Sequence, residues 1–241
     1  MSRFRPDTAI GHIVAEEPSA ARLFERLGVD YCCGGDRSLE AACAEEGLDA
    51  TTVLRMLEAD VDPDEVDAAS DEATDWTTAP LDDLIDHIEQ THHAYLREEL
   101  PHLEKLLDKV TRAHAEEAPW LESLREVFSD LKPHMLRHIE KEETIVFPFI
   151  RQRLGQEVND DADPIALGPQ PMKMMEMEHD DTGEVLERIR ALTDDYTAPD
   201  WACDTLRDTL ERLHELERDT HQHVHKENNI LFSRARALIE A

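Results

Sequence analysis

The chain has 241 residues, with 56 Asp or Glu against 25 Lys or Arg and a formal net charge of −31; only 8 are Gly and 5% are aromatic. This charge excludes a nucleic-acid groove, because counterion release needs a basic surface. Scarce Gly and aromatic residues exclude an all-β fold, and the longest apolar run, Ile145–Ile150, is far short of the roughly 18 residues of a membrane span. The opening MSRFRPDTAI lacks the apolar stretch of a secretory signal, which predicts a cytoplasmic protein. Long periodic apolar stretches run beneath the acid, so the charge reads as a solvated surface over a helical core. Such a surface suits a salt-rich cytoplasm, where screening shortens the reach of self-repulsion.

Residues 1–60 read as a small helical domain. Ile10, Ile13 and Val14, then Leu23, Phe24 and Leu27, sit at helical spacing, and Gly28 supplies a stop. The turn Asp30-Tyr31-Cys32-Cys33-Gly34-Gly35 follows. Ser38 then opens a short helix with Leu39, Ala42 and Cys43, and a last helix carries Val53, Leu54 and Leu57. Residues 61–79 are dense in acid without an apolar stripe and read as a linker.

Residues 80–241 read as four long helices. The first runs from Pro80 to Glu117 with Leu84, Ile85, Ile88, Leu96, Leu100, Leu103 and Leu107 inward, and Pro101 predicts a kink. The second runs from Pro119 to about Leu154, with a seam of Leu124, Phe128, Leu131, Met135, His138, Glu142, Ile145 and Phe149. After a loop over Gly155–Gly168, the third carries Met172, Met175, His179, Thr182, Leu186 and Ile189. The fourth carries Leu206, Leu210, Leu213, Leu216, Thr220, His223, Glu227 and Ile230. Steps of 3 and 4 predict helices packed near 20°, hence an all-α protein with an up-down four-helix bundle.

Polar residues interrupt this seam. His138 and Glu142, and again His223 and Glu227, are spaced i, i+4, on one helix face about one turn apart. His93 and His179 are the seam histidines of the other two helices. HIEKEETIVFPF from His138 aligns with HVHKENNILFSR from His223, and the intervals His93–His138 and His179–His223 are 45 and 44 residues. Two helical hairpins thus each present His, then His-x-x-x-Glu.

A lone histidine on an apolar face is ordinarily a satisfied core residue. Two buried carboxylates without Lys or Arg on the same seam are harder to satisfy, although hydrogen-bonded protonated glutamates or Glu–His⁺ pairs remain open. Four imidazoles and two carboxylates exceed one tetrahedral zinc, whereas two metals sharing both glutamates use every ligand and leave positions open. Iron is favoured, with manganese or zinc still open. His92 could exchange with His93 by face geometry, but the matching intervals favour His93. The remaining histidines read as surface or supporting residues.

The whole resembles the Repair of Iron Centres (RIC) di-iron proteins. The first 60 residues resemble the family's N-terminal domain through Thr8, Ile10, Gly11, Ile13, Val14, Pro18 and Phe24 before the DYCCGG turn. The rest resembles a hemerythrin-like bundle through THHAYLREELP around His93, H-x-x-x-E-E-x-x-x-F-P at His138, E-x-E-H-D at His179 and H-x-x-x-E-N-N at His223. The resemblance implies His93, His138, His179 and His223 as terminal ligands of two iron ions, bridged by Glu142 and Glu227. It makes Glu143 and Glu178 candidates for supporting positions or an iron exit route. Ser233 stands where the family usually has Pro. The implied function is repair of iron–sulfur clusters damaged by nitrosative or oxidative stress, through iron donation. Damaged iron–sulfur proteins are the implied partners and NO or O2 the small ligands; a homodimer is compatible with it. A di-iron nitric oxide reductase and an O2 or NO sensor are the alternatives.

Cys32 and Cys33 carry a candidate redox or iron-transfer role, since a vicinal disulfide is strained and a Gly-rich turn can present thiols. Cys43 and Cys203 read as small buried apolar residues.

Overall fold

A computed structural model of the chain describes residues 3–59, 74–155 and 170–239. Most of the acidic stretch read as a linker, and most of the loop after Gly155, lie outside the described residues. Among the described residues the chain is helical, with one isolated bridge between Ala9 and Ser38. None of these helices is long and apolar enough to cross a membrane. The chain divides into two compact units, one of 1–85 with 221–241 and the other of 86–220.

The first unit opens with α1 (Ile10–Glu16), α2 (Ala20–Leu27), α3 (Leu39–Glu45) and α4 (Ala50–Ala59). Ile10, Ile13, Phe24, Tyr31, Leu39 and Cys43 form its core together with Val224 from the later part of the chain. Gly28 ends α2 at φ 72°, a left-handed position that glycine adopts without steric penalty, and Val29 N–H returns to Phe24 O at 2.9 Å. Ser38 caps α3 by accepting from Ala41 N–H at 3.2 Å.

The second unit is the bundle body. It holds α6 (Ala94–His114), α7 (Trp120–Lys141), α8 (Phe147–Arg153), α9 (Gln170–Leu192) and the larger part of α10 (Asp204–His225). The shorter α5 (Leu81–Ile88) precedes α6, and α11 (Ser233–Ile239) follows α10. The short connection 115–119 makes α6 and α7 antiparallel neighbours. Leu100, Leu103, Leu124, Phe128, Leu186, Leu210 and Leu213 share one continuous core. Pro101 lies within the helical span of α6, and α7 likewise runs through Pro133.

The four long helices are not regular throughout. π-helical turns occupy Glu89–His93, Glu142–Val146 and Lys226–Phe232, so that three of the four carry a widened turn where a seam polar residue sits. A π turn inserts one residue into the helical register. The consequence is visible after Glu142: Ile145, expected inward, is 38% exposed, and Val146 is buried in its place at 1%. A similar widening between the buried Ile88 and His93 sets them five residues apart.

Candidate metal centre

Within the bundle body three imidazoles converge on one carboxylate. Glu142 is fully buried, with Oε2 at 3.3 Å from His93 Nε2 and Oε1 at 3.3 Å from His138 Nε2 and 3.8 Å from His179 Nε2. The two carboxylate oxygens therefore face different histidines. His138 and His179 present their Nε2 atoms 3.0 Å apart. That is the edge expected between neighbouring ligands of an octahedral ion with bonds of about 2.1 Å, roughly 3 Å. The π turn brings His93 to this position, whereas His92 hydrogen-bonds Asp219 at 2.8 Å.

The outward nitrogens are also held. His93 Nδ1 lies 2.8 Å from Glu143, whose other oxygen accepts from Arg97 at 2.6 Å. His138 Nδ1 lies 3.0 Å from Glu178, which also accepts from Lys141. Burial pushes the Glu143 carboxyl up, but the hydrogen bonds from Arg97 and His93 outweigh it and hold it below its ordinary value. Glu178 is lowered by the same balance, with burial opposed by Lys141 and His138. An ionised carboxylate on Nδ1 fixes the N–H there and turns the Nε2 lone pair inward, as metal-ligating histidines require. Phe147 stacks on the His93 ring at 5.6 Å and 11° and limits its rotation.

The other repeat is part of the first unit. His223 Nε2 lies 3.0 Å from Glu227 Oε1 across one turn, and both are buried. Beyond Glu227, the Asn229 side chain occupies the space beside Gly11 and Gly35. A Cβ on Gly35 would fall 2.0 Å, and one on Gly11 2.5 Å, from Asn229 Oδ1. Asn229 Nδ2 donates to Tyr31 O at 3.2 Å and Cys32 O at 3.1 Å, and lies 3.1 Å from His225 Nδ1. Burial drives the His225 pKa down to about 3, so its neutral ring can accept there, and it packs edge-on to Tyr31 at 5.5 Å.

The turn itself is organised by Asp30. Its carboxylate accepts from Cys32 N–H at 3.1 Å, Cys33 N–H at 3.0 Å and Gly34 N–H at 2.8 Å. Both cysteines are free thiols; Cys32 is buried and Cys33 half-buried. The Cys33 thiol, burial and the Asp30 charge together push the Cys32 thiol well up. Cys43 is buried as expected, but Cys203 is exposed, with its Sγ 3.3 Å from His114 Nε2, because it precedes the first turn of α10.

Sequence spacing alone did not identify the π turns, the Arg97 and Lys141 contacts, or the roles of Asn229 and His225. A signal for Asn229 exists in the aligned repeats, where Glu143-Thr144 is replaced by Asn228-Asn229.

The donor set is chemically that of a metal site: imidazoles of fixed tautomer around a buried carboxylate. Residues 83–235 match the hemerythrin HHE cation binding domain, and residues 6–61 match the ScdA_N domain of unknown function. The iron–sulfur cluster repair protein YtfE of Enterobacter sp. (strain 638) is 37% identical over 96% of this chain and 97% of its own. The proteins of that name from Escherichia coli O157:H7 and Edwardsiella ictaluri (strain 93-146) are 36% and 37% identical. They match 96% and 95% of this chain and 97% and 96% of their own. With relatives this similar along nearly the whole chain, and a cation-binding domain over the helices that bear the histidines, the protein belongs to the YtfE iron–sulfur cluster repair family.

Proposed function

We propose that this protein repairs damaged iron–sulfur clusters by donating iron from a two-iron centre held by His93, His138, His179, His223, Glu142 and Glu227. The observation that carries the reading is Glu142, a fully buried carboxylate that offers one oxygen to His93 and the other to His138 and His179. One carboxylate facing two histidine sets is what a bridging ligand requires. The duplicated His-x-x-x-Glu motif supplies Glu227 and His223 as its counterpart, and the cation-binding domain match covers all six residues. The curated relatives, named as iron–sulfur cluster repair proteins, support the biological role.

Iron is the cargo in this reading. Imidazoles dominate the set, and each must be neutral to bind, so proton uptake by the histidines would assist release. Glu143 and Glu178 keep the Nδ1 protons of His93 and His138 in place. Arg97 and Lys141 balance the charge of those two carboxylates, so they remain ionised at neutral pH. Cys32 and Cys33 take the redox or iron-transfer role, and Glu143 and Glu178 are the candidates for an iron exit route. The protein acts in the cytoplasm on damaged iron–sulfur proteins, where NO and O2 are the small molecules that reach it.

The test is transfer. Iron-loaded protein, mixed anaerobically with an apo iron–sulfur enzyme, sulfide and thiol, should restore activity faster than the same concentration of ferrous salt. Equal rates would reject donation, and anaerobic production of nitrous oxide from NO would point to reduction instead.

A further inference from the structure

Adjacent residues in an extended chain point to opposite sides, so two neighbouring cysteines do not ordinarily converge. Here they do. Cys32 Sγ and Cys33 Sγ lie 3.8 Å apart, and Cys32 Sγ lies 3.2 Å from Asp30 Oδ1. All three residues present ligand atoms within 4.8 Å of one another. The arrangement is held from several directions: three backbone N–H groups donate to Asp30, Arg37 donates to Asp30 O at 3.1 Å, and Asn229 holds the carbonyls of Tyr31 and Cys32.

The sulfur separation, that of an S–H···S contact between two thiols, also fits a tetrahedral ion. A disulfide needs its sulfurs at about 2.05 Å. Two thiolates on a tetrahedral ion with bonds of about 2.3 Å are about 3.8 Å apart, while a linear ion at that bond length would require about 4.6 Å. We propose that Asp30, Cys32 and Cys33 form a second metal site, separate from the histidine centre, that takes one thiophilic divalent ion such as ferrous iron or zinc in tetrahedral geometry. The two sulfurs are the principal ligands and Asp30 Oδ1 the third, leaving a fourth position for water or an incoming group. Binding replaces both S–H protons, which leave to solvent, and the S–H contact from Cys32 to Asp30 becomes a shared bond to the ion. No electron is transferred. The half-buried Cys33 gives the ion its approach.

This inference deepens the transfer role assigned to the cysteine pair, but its test does not depend on cluster repair. The full chain, stripped of metal and kept reduced with a non-thiol reductant, is titrated with cobalt(II). A histidine–glutamate set contains no sulfur, so a thiolate-to-cobalt charge-transfer band in the near ultraviolet reports only the cysteine site. With cobalt in excess of the two positions of the histidine centre, the band should saturate at one thiolate-bound ion per chain, with two thiol protons released for that ion. Cys32→Ser and Cys33→Ser should each reduce it at least tenfold, whereas Cys203→Ser and Cys43→Ala should retain it. Zinc should displace the cobalt and slow alkylation of Cys33 in the unmodified chain. The band should also persist in Glu142→Ala, which disables the proposed iron centre. Absence of the band in the unmodified chain, or its survival in the Cys32→Ser/Cys33→Ser double variant, would overturn this site while leaving the repair reading intact. Failure of iron transfer with the band present would reject the repair reading alone.

Discussion

The two His-x-x-x-Glu repeats have retained the same proposed ligands and changed the residues beside them. After Glu142 comes Glu143, which turns outward to hold His93 Nδ1 and to accept from Arg97. The equivalent of Glu143-Thr144 after Glu227 is Asn228-Asn229, and these side chains hold the Tyr31 and Cys32 carbonyls of the cysteine turn. Glu140 of the first repeat is exposed, whereas its counterpart His225 is buried beside Tyr31 and Asn229. A repeat conserves what the metal needs and frees the adjoining positions. One copy uses them to orient a histidine, and the other uses them to build the small unit around its cysteines.

Breaking the shared element should have the largest effect. Glu142→Ala removes the carboxylate that faces three histidines, and metal content should fall from two irons per chain to less than one by elemental analysis. Glu143→Gln tests the distinctive feature of the first repeat. Loss of the charged partner of His93 should weaken ferrous affinity about 10- to 100-fold in a competition titration. Asn228→Ala, at the equivalent place in the second repeat, should leave that affinity within about twofold, because Asn228 serves the turn.

Gly35→Ala challenges the second repeat from the other side. Its Cβ would collide with Asn229, and overpacking of this kind costs about 1–3 kcal/mol in urea unfolding. Asn229→Ala should cost about 1–2 kcal/mol by removing its hydrogen bonds to the Tyr31 and Cys32 carbonyls, and it should raise the alkylation rate of Cys33. Neither change should abolish metal binding by the bundle. The smallest effect should come from the surface: moving from dilute to molar KCl should raise the melting temperature by a few degrees, since screening relieves a net charge of −31.

Side-chain periodicity made much of the architecture legible. Leu100, Leu103, Phe128, Leu186 and Leu210 are core residues because steps of 3 and 4 keep them on one face. The polar residues on that face, His138, Glu142, His223 and Glu227, could be picked out because they interrupt an otherwise apolar seam. The π turns were not legible, since i→i+5 hydrogen bonding is a backbone property with no fixed composition. Ile145 is the result: apolar and on the extrapolated seam, it is displaced outward by the inserted residue while Val146 takes the inner place. Asn229 was missed for another reason. Its partners in the turn are nearly two hundred positions earlier in the chain, and only folding brings an ordinary polar residue against Gly11 and Gly35.

The most direct test of the central claim is iron stoichiometry combined with Mössbauer spectroscopy on the purified chain and on Glu142→Ala. Two irons per chain in an exchange-coupled, carboxylate-bridged pair are expected, lost in the variant. A single isolated iron, or a coupled pair unchanged by Glu142→Ala, would contradict that claim.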